Sequence, residues 1–451
     1  MRRAKRIWQV GIACLLFCSF GITYCQESTD LKPVSNTYAI VGATIVPSPG
    51  KKIADGTIVI SQGLIVSIGV GVKVPAHAVV IKADSLYIYP GFIDGLSHTG
   101  VHKPKDANTS KPKDPGNPTS EEAGITPYRG VRECLRAPED RFCHDKLFIG
   151  FTAAQVVPRG VLLPGYGALV SVASAGQNET VLHDRNVMYA EFSWNNGVYP
   201  STIMGVMSKW RELYRQTEML ANYQSVYASN RVGLPRPESD RVLESLLPVV
   251  QKNVPVLFRA ESALEIHRVL SLQNDLGFRL ILGNVKEGWD LMDKLKAAKP
   301  GIFLSLELPD EIKPDTTLVA ESEKARLIKR NQEMVLKYVS QAKVLHQQGI
   351  RFGFSTLSVK EKDIHKNLVR IVEAGLPEET ALAALTSYPA QVLGVFDRLG
   401  TLEPGKIANL IVSDKPYFDK LAKVEYTFVE GVLFEPQSSG KSNGSMPAYI
   451  D

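Results

Sequence analysis

Short apolar runs alternate with amphipathic stretches through the middle of the chain. The runs lie at 254–260, 279–284, 302–306 and 351–356, and each is followed by a stretch whose apolar residues recur with helical spacing. Strands without polar alternation are typical of a parallel sheet that is buried on both faces. The repeat therefore predicts an α/β fold in which helices cover a parallel sheet.

The preceding part of the chain carries the same pattern less regularly. Strand-like runs lie at 87–94 and 151–158, and a helix is predicted near 202–223. About eight strand–helix units fit between residues 88 and 400, and eight is the number that closes a TIM-type (β/α)8 barrel. We therefore predict that residues 89–401 form such a barrel.

Both ends of the chain have the pattern of β structure. Runs of β-branched residues punctuated by glycine and proline fill 38–83, and a similar pattern returns in 408–414 and 424–435. Two β segments at opposite ends of a chain favour one small sheet domain assembled from both. Its predicted bounds are 38–88 together with 402–436.

The first 25 residues have the layout of a secretory signal peptide. Basic residues open the chain, and the apolar stretch 10–22 is too short to span a bilayer. Small residues stand at the positions that favour cleavage before Gln26. Cys25 could instead be a lipidated first residue, but the bulky Tyr24 differs from the small residue that a lipoprotein signal has there. We predict an exported, periplasmic protein, with a lipoprotein as the alternative.

Removal of the signal peptide changes the charge of the protein. The full chain carries a formal charge of +5, and residues 1–25 contain four basic and no acidic residues, which leaves +1. A nearly neutral protein has no electrostatic reason to bind nucleic acid or an anionic membrane. With 44% hydrophobic residues the chain can fill a large core, so disorder of the whole chain is excluded.

Two cysteines, Cys134 and Cys143, follow the signal peptide. On one continuous helix this spacing separates them by about 13 Å, which is too far for a disulfide. Pro138 between them breaks such a helix, so a disulfide in an oxidising compartment and two half-buried thiols are equal alternatives. The spacing matches no common zinc motif.

Two polar stretches are predicted to lack regular structure. Residues 102–124 are rich in Lys, Pro, Asp and Ser, and they follow the first barrel strand on the face where such barrels carry their sites. The tail 437–451 is predicted to be disordered.

Three strings resemble the amidohydrolase superfamily, above all its imidazolonepropionase-like exported members. YPGFIDGLSH (89–98) is similar to the end of that family's first barrel strand, and VPVLFRAESALEIHRVLSL (254–272) to its fifth strand and helix. ALTSYPAQVLGVFDRLGTLEPGKIANLIVSD (384–414) resembles its exit from the barrel into a β-sandwich. Asn409 stands where the family usually has Asp, at a position remote from the site. The resemblance covers residues 38–435.

The resemblance implies a TIM-type barrel with a small β-sandwich built from both chain ends, and hydrolysis of non-peptide C–N bonds. In this family one or two divalent metals activate water. The implied ligands are a His-x-His on the first strand, a Lys or Glu on the fourth, and a His on each of the fifth and sixth. An Asp on the eighth strand also accepts the proton of the attacking water.

Most of that ligand set is missing when it is carried over residue by residue. Leu96 replaces the first histidine of the His-x-His motif, so His98 is the one surviving metal-ligand position. Arg259 stands at the fifth-strand position, and a guanidinium has no acceptor lone pair. Asn284 stands at the sixth-strand position and offers only a weak oxygen donor.

The fourth and eighth strands also depart from the family pattern. No lysine fits the fourth strand, and Leu357 takes the place of the catalytic Asp. A shift of one residue offers Thr356 or Ser358, and neither is a carboxylate. One imidazole cannot hold zinc against water, because catalytic sites use three or more protein ligands. Without metal and base there is neither an acidified water nor a proton acceptor.

Two functions are therefore predicted as alternatives. The favoured one is a non-catalytic or binding barrel, a pseudoenzyme without a metal cofactor. The other is an active amidohydrolase with an atypical zinc site formed by His98 and the 102–124 loop. A third possibility is that the chain pairs with an intact amidohydrolase relative and contributes a barrel face to a heterodimer.

Arg259 has two interpretations of its own. As a bidentate anchor it could bind a small anionic molecule at the mouth of the barrel. The other residues predicted to line such a site are His98, Asn284 and Thr356. Alternatively, Arg259 pairs with Asp94 or Glu261 and fills the space of the lost metal. We favour the second interpretation, because a charge inside a barrel normally has a partner.

Overall fold

The structure of the protein is a computed structural model. It describes residues 37–102, 114–135, 146–173, 181–310 and 321–436. The predicted signal peptide, the predicted disordered tail and Cys143 lie outside these residues. No helix within the described ranges is both long enough and apolar enough to cross a membrane.

The described elements alternate much as the sequence pattern predicts. The strands are β1 (Tyr38–Ser48), β2 (Lys51–Ser61), β3 (Leu64–Gly69), β4 (Val79–Lys82), β5 (Tyr87–Pro90), β6 (Phe92–Ser97), β7 (Phe151–Val156), β8 (Gly165–Ser171), β9 (Val181–Glu191), β10 (Val256–Arg259), β11 (Leu280–Val285), β12 (Gly301–Ser305), β13 (Gly353–Ser355), β14 (Leu410–Ser413), β15 (Val424–Val429) and β16 (Val432–Phe434). The helices are α1 (Ile203–Ser229), α2 (Arg241–Val250), α3 (Ala263–Leu276), α4 (Met292–Ala298), α5 (Glu321–Gln347), α6 (Glu361–Glu373), α7 (Glu378–Leu385) and α8 (Ser387–Val392).

Strands β6 to β13 form an eight-stranded barrel sheet in which each strand pairs with the next along the chain. The two edge strands, β6 and β13, come together, so that the barrel is nearly closed. Helices alternate with the strands from β9 onwards. The predicted α/β class and TIM-type barrel are confirmed.

One strand departs from the expected parallel sheet. β8 runs antiparallel to both β7 and β9, whereas the other neighbouring pairs are parallel. Residues 157–164, which join β7 to β8, are too few for a crossover helix, so the chain turns back as a hairpin. The carboxyl ends of the remaining seven strands still meet at one mouth.

Local capping fixes the helix that follows β10. The Ser262 side chain accepts from the Glu265 backbone, and the Glu265 side chain reaches back to the N-cap, which is a capping box. Gly277 ends the helix in the left-handed region, with φ of 68°. Helix α3 buries Ile266 and Val269, which belong to the main core cluster. The end of β10 is therefore held in a defined position.

A second eight-stranded sheet combines both chain ends. Its order is β16-β15-β14-β5-β1-β2-β3, with β4 beside β1, and β14 is antiparallel to β5. Ile40 and Ile58 from the N-terminal strands share one core cluster with Leu410 and Phe428 from the C-terminal strands. This sheet is the small β domain that the sequence predicts from both ends of the chain.

Candidate functional site at the barrel mouth

Polar side chains gather where the barrel strands end. In barrels of this type the carboxyl ends of the strands form the site. The buried or partly buried residues there are Asp94, Ser97 and His98 on β6 and just after it, Glu191 on β9, Arg259 on β10, Asn284 on β11, and Ser355 and Thr356 at β13. The four predicted site residues His98, Arg259, Asn284 and Thr356 thus all lie at or just after the ends of barrel strands.

A buried lysine that the sequence analysis missed lies between the first and last barrel strands. The Lys146 Nζ donates to Asp94 Oδ2 at 2.7 Å, to Thr356 Oγ1 at 2.7 Å and to Ser97 Oγ at 3.1 Å. Side-chain exposure is 6% for Lys146 and 0% for Asp94. We call these four residues the closure cluster. Its ammonium and carboxylate charges are paired within it.

Arg259 is paired with carboxylates rather than free. Its Nε donates to Glu261 Oε1 at 2.8 Å and its Nη2 to the same oxygen at 2.5 Å. The Nη1 donates to Glu191 Oε2 at 3.3 Å. Of the two acids considered as partners in the sequence analysis, Glu261 is the partner, whereas Asp94 belongs to Lys146.

Neighbouring charged and polar groups shift the pKa values of Arg259 and Glu261. Burial acts to lower the pKa of Arg259, but Tyr189 and the Glu261 carboxylate outweigh it and raise that pKa above the usual arginine value. Burial acts to raise the pKa of Glu261, but the cations Lys286 and Arg259 lower it below its usual range. Both side chains are therefore charged at neutral pH.

Glu191 is the fourth-strand carboxylate that the sequence analysis overlooked. It ends β9 and accepts from Tyr189 Oη at 2.8 Å and from Ser193 Oγ at 2.5 Å, in addition to Arg259. The resemblance allowed either Lys or Glu on this strand, and a Glu directly after the apolar run 187–190 was the available signal.

Asn284 connects the fifth-strand ion pair to the last strand. It is fully buried, with φ of 57°, in the left-handed region that Asn tolerates better than most residues. Its Nδ2 donates to Glu261 Oε1 at 2.9 Å, and its Oδ1 accepts from Ser355 Oγ at 3.3 Å. Asn284 therefore orients a carboxylate.

The ion pairs extend outward from Glu261 along the mouth. Lys286 Nζ lies 2.7 Å from Glu261 Oε2 and 2.7 Å from Glu307 Oε2. We call Glu191, Arg259, Glu261, Lys286 and Glu307 the rim network. Acids and bases alternate along it, so that each cation bridges two carboxylates.

His98 is held as a neutral imidazole. Its Nδ1 lies 3.0 Å from the Val157 carbonyl oxygen, which assigns the ring proton to Nδ1 and the lone pair to Nε2. Burial lowers the pKa of His98 to about 4; the contact with the Val157 carbonyl acts to raise this pKa, and the Arg159 charge acts to lower it. The ring meets Tyr189 edge-on, with ring centres 6.2 Å apart.

The two residues that follow β13, Thr356 and Leu357, have polar and apolar surroundings, respectively. Thr356 belongs to the closure cluster, and its backbone N donates to Asp94 Oδ1 at 2.9 Å. Leu357, predicted at the Asp position, lies instead in an apolar cluster with Ile93 and Leu96. Thr356, one residue before Leu357, is therefore the residue whose side chain reaches the polar groups of the mouth.

The residues present do not fit one or two divalent metals. His98 supplies a single imidazole, while Asp94, Glu191 and Glu261 already accept from cationic side chains. Within the described ranges no three His, Cys, Asp or Glu side chains come together so that they could hold a metal ion. Leu96 and the cation of Arg259 occupy positions where the resemblance implies imidazoles.

The predicted disulfide stays a prediction. Cys134 is half-buried, and burial raises the pKa of its thiol. Its proposed partner Cys143 lies outside the described residues.

Comparisons with known proteins agree with this architecture. Residues 253–441 match the model of the amidohydrolase family. Over 52 residues the chain is 48% identical to the N-acetylglucosamine-6-phosphate deacetylase of Haemophilus influenzae, a stretch that is 12% of this chain and 13% of that protein. An amidohydrolase from Thermotoga maritima has a similar structure, with a TM-score of 0.71 and 21% identity over 88% of this chain and 100% of that one. A prolidase complexed with N-methylphosphonate-L-proline has a TM-score of 0.53 and 16% identity over 89% of this chain and 100% of that one.

Proposed function

We propose that this protein is a hydrolase-derived barrel that binds without hydrolysing C–N bonds, because residues 253–441 match the amidohydrolase family model and the barrel has a fold similar to that of an amidohydrolase. The observation that supports this most is Arg259, held between Glu191 and Glu261. A permanently charged guanidinium stands where a hydrolase of this family needs a neutral imidazole ligand.

The remaining side chains of the mouth are poorly suited to moving a proton at neutral pH. His98 has a pKa of about 4, which makes it a weak base. Asp94 already accepts from Leu96 N, Thr356 N, Thr356 Oγ1 and Lys146 Nζ. A carboxylate so fully engaged has no lone pair directed at a water molecule. These contacts favour a structural role over general base catalysis.

The rim network suggests what kind of ligand the mouth takes. Arg259 is 34% exposed and Glu307 44% exposed, so the accessible edge presents both signs of charge. Because Arg259 has two carboxylate partners, it is a weaker anchor for a simple anion than the sequence pattern suggested. A polar ligand that is uncharged or carries both charges fits this edge better.

Export is part of the same proposal. The basic and apolar N-terminal segment supports secretion with cleavage before Gln26. The intact mass of the protein recovered from the periplasm tests this. The expected mass is that of a chain that begins at Gln26. Retention of the full chain in the cytoplasm contradicts the predicted export.

The function is tested by metal content together with hydrolysis. We expect purified wild-type protein to hold far less than one zinc per chain, and to hydrolyse a panel of amides no faster than His98→Ala. A double variant, Leu96→His with Arg259→His, serves as the matched control. It introduces histidines at two positions where the family pattern has zinc ligands, so it should bind zinc more tightly than wild type. About one zinc per wild-type chain, lost together with amide hydrolysis in His98→Ala, would establish the active alternative instead.

A further inference from the structure

The barrel closes at the junction of β6 and β13. The ladder of backbone pairs runs from one of these strands round to the other, and both are edges of the sheet. Side chains bridge the two edges. Ser355 Oγ donates to the Leu96 carbonyl at 2.9 Å, and Thr356 N and Oγ1 both donate to the Asp94 carboxylate. Polar side chains therefore bridge the two edges of the seam, beside the apolar contacts of Leu357 with Ile93 and Leu96.

Lys146 reaches this seam from the segment that precedes β7. Its ammonium donates to Asp94 and Ser97 on β6 and to Thr356 just after β13. A lysine ammonium has three N–H groups, and three acceptors receive them. Because the side chain is only 6% exposed, this ammonium has exchanged nearly all of its water for protein oxygens.

We propose that Lys146 is an internal cation that closes the barrel: its ammonium fills a cage of protein oxygens and joins the first strand to the last. The cage consists of Asp94 Oδ2, Ser97 Oγ and Thr356 Oγ1, one carboxylate and two hydroxyls. This inference goes beyond the proposed function, because it concerns closure and holds whether or not the mouth hydrolyses anything. It also predicts that the cage accepts a free primary ammonium when the lysine side chain is removed.

The first test compares two Lys→Met substitutions. Lys420 also lies 2.7 Å from a carboxylate, that of Glu373, but its side chain is 69% exposed, so Lys420→Met is the matched control. Lys146→Met should lower the thermal midpoint by roughly 5 °C or more, and Lys420→Met by about 1 °C or less. Equal shifts in the two variants overturn the proposal.

Amide hydrogen exchange shows whether the stability lost in Lys146→Met is lost at the junction of β6 and β13. In Lys146→Met, exchange should accelerate in β6 and β13 by a larger factor than in β10 and β11, which are paired on both sides. A uniform acceleration over all barrel strands indicates a general packing defect and contradicts the role in closure.

Chemical rescue tests the cage itself. Lys146→Ala removes the side chain beyond Cβ, and propylammonium replaces the missing atoms and charge. Propylammonium chloride should raise the thermal midpoint of Lys146→Ala above that in tetramethylammonium chloride at the same ionic strength, because only the former has N–H donors. The same midpoint in both salts sinks the proposal.

A charge-neutral pair variant covers the case in which Lys146→Met does not fold. Asp94→Asn combined with Lys146→Met removes both charges, so it should be recovered in higher soluble yield, with a higher thermal midpoint, than Lys146→Met alone. A pair variant no better than the single one overturns the proposal. Bound zinc or amide hydrolysis in the wild type contradicts the proposed function and leaves these expected results unchanged.

Discussion

The closure cluster and the rim network each contain a lysine–carboxylate ion pair, and the two pairs differ in how deeply they are buried. Lys146 lies 2.7 Å from Asp94 with side-chain exposures of 6% and 0%, and Lys286 lies 2.7 Å from Glu307 with exposures of 21% and 44%. The side chains of the second pair are partly solvated, so that this pair contributes less, whereas an unpaired charge in the first has no water to replace its partner. Burial, not distance, decides what each pair is worth.

The largest loss is expected when the buried carboxylate is neutralised. Asp94→Asn leaves the Lys146 ammonium without its counterion and should lower the free energy of unfolding by about 3–5 kcal/mol. Asp275→Asn is the control, because Asp275 pairs with Arg211 at 2.7 Å with both side chains 40% exposed. Urea denaturation measures both. A loss as small as that of the control contradicts a larger contribution of the buried pair.

An intermediate loss is expected at Arg259. Arg259→Met removes the cation between Glu191 and Glu261 and leaves two carboxylates near each other. Since Arg259 is 34% exposed, solvent moderates the effect, and we expect a loss of about 1–3 kcal/mol in urea denaturation. Thermal shifts caused by small anions should be the same in Arg259→Met and wild type. Anion shifts that disappear in the variant restore the anchor interpretation.

His98 makes the free energy of unfolding depend on pH, by about 1 kcal/mol between pH 6.5 and 5.5. Its folded pKa, about 4, lies below the unfolded value of 6.5, so the unfolded chain binds the proton first. Its contribution is present above pH 6.5 and is lost as the pH falls towards 4. Between pH 6.5 and 5.5 wild type should lose about 1 kcal/mol more than His98→Gln. Parallel stability curves for the two proteins contradict a neutral, buried His98.

The smallest loss is expected in the outer part of the rim network. Lys286→Met should cost at most about 1 kcal/mol, because Glu261 keeps Arg259 as a partner and water can take the place of the lysine beside Glu307, which is 44% exposed. A loss as large as that of Asp94→Asn means that water does not reach the rim, and the comparison between the two clusters fails.

The sequence predicts those parts of the molecule that depend on local pattern. The buried strands and α3 follow from apolar runs and a capping box, and Glu261 lies two residues from Arg259, so their pairing could be considered in advance. Lys146 is 52 residues from Asp94 and 210 from Thr356 along the chain. No periodicity or motif links positions so far apart, so the closure cluster could not be predicted.

Two local features could not be decided from the sequence, for physical reasons. Thr356 and Leu357 are neighbours at the end of a three-residue strand, where adjacent side chains point to opposite sides, and the choice between them needs the exact register. The predicted eight strand–helix units imply parallel strands throughout, whereas β8 runs antiparallel to both of its neighbours. The short connection 157–164 was the feature that decided its direction.

We propose that paired side chains, rather than a metal, carry the charge at the mouth. A crystal of the wild-type protein grown with zinc, and measured at the zinc absorption edge, tests it most directly. We predict electron density for Lys146 Nζ within hydrogen-bonding distance of Asp94, and no anomalous peak beside His98. An anomalous peak about 2.0–2.1 Å from His98 Nε2, the usual zinc–nitrogen distance, contradicts the claim.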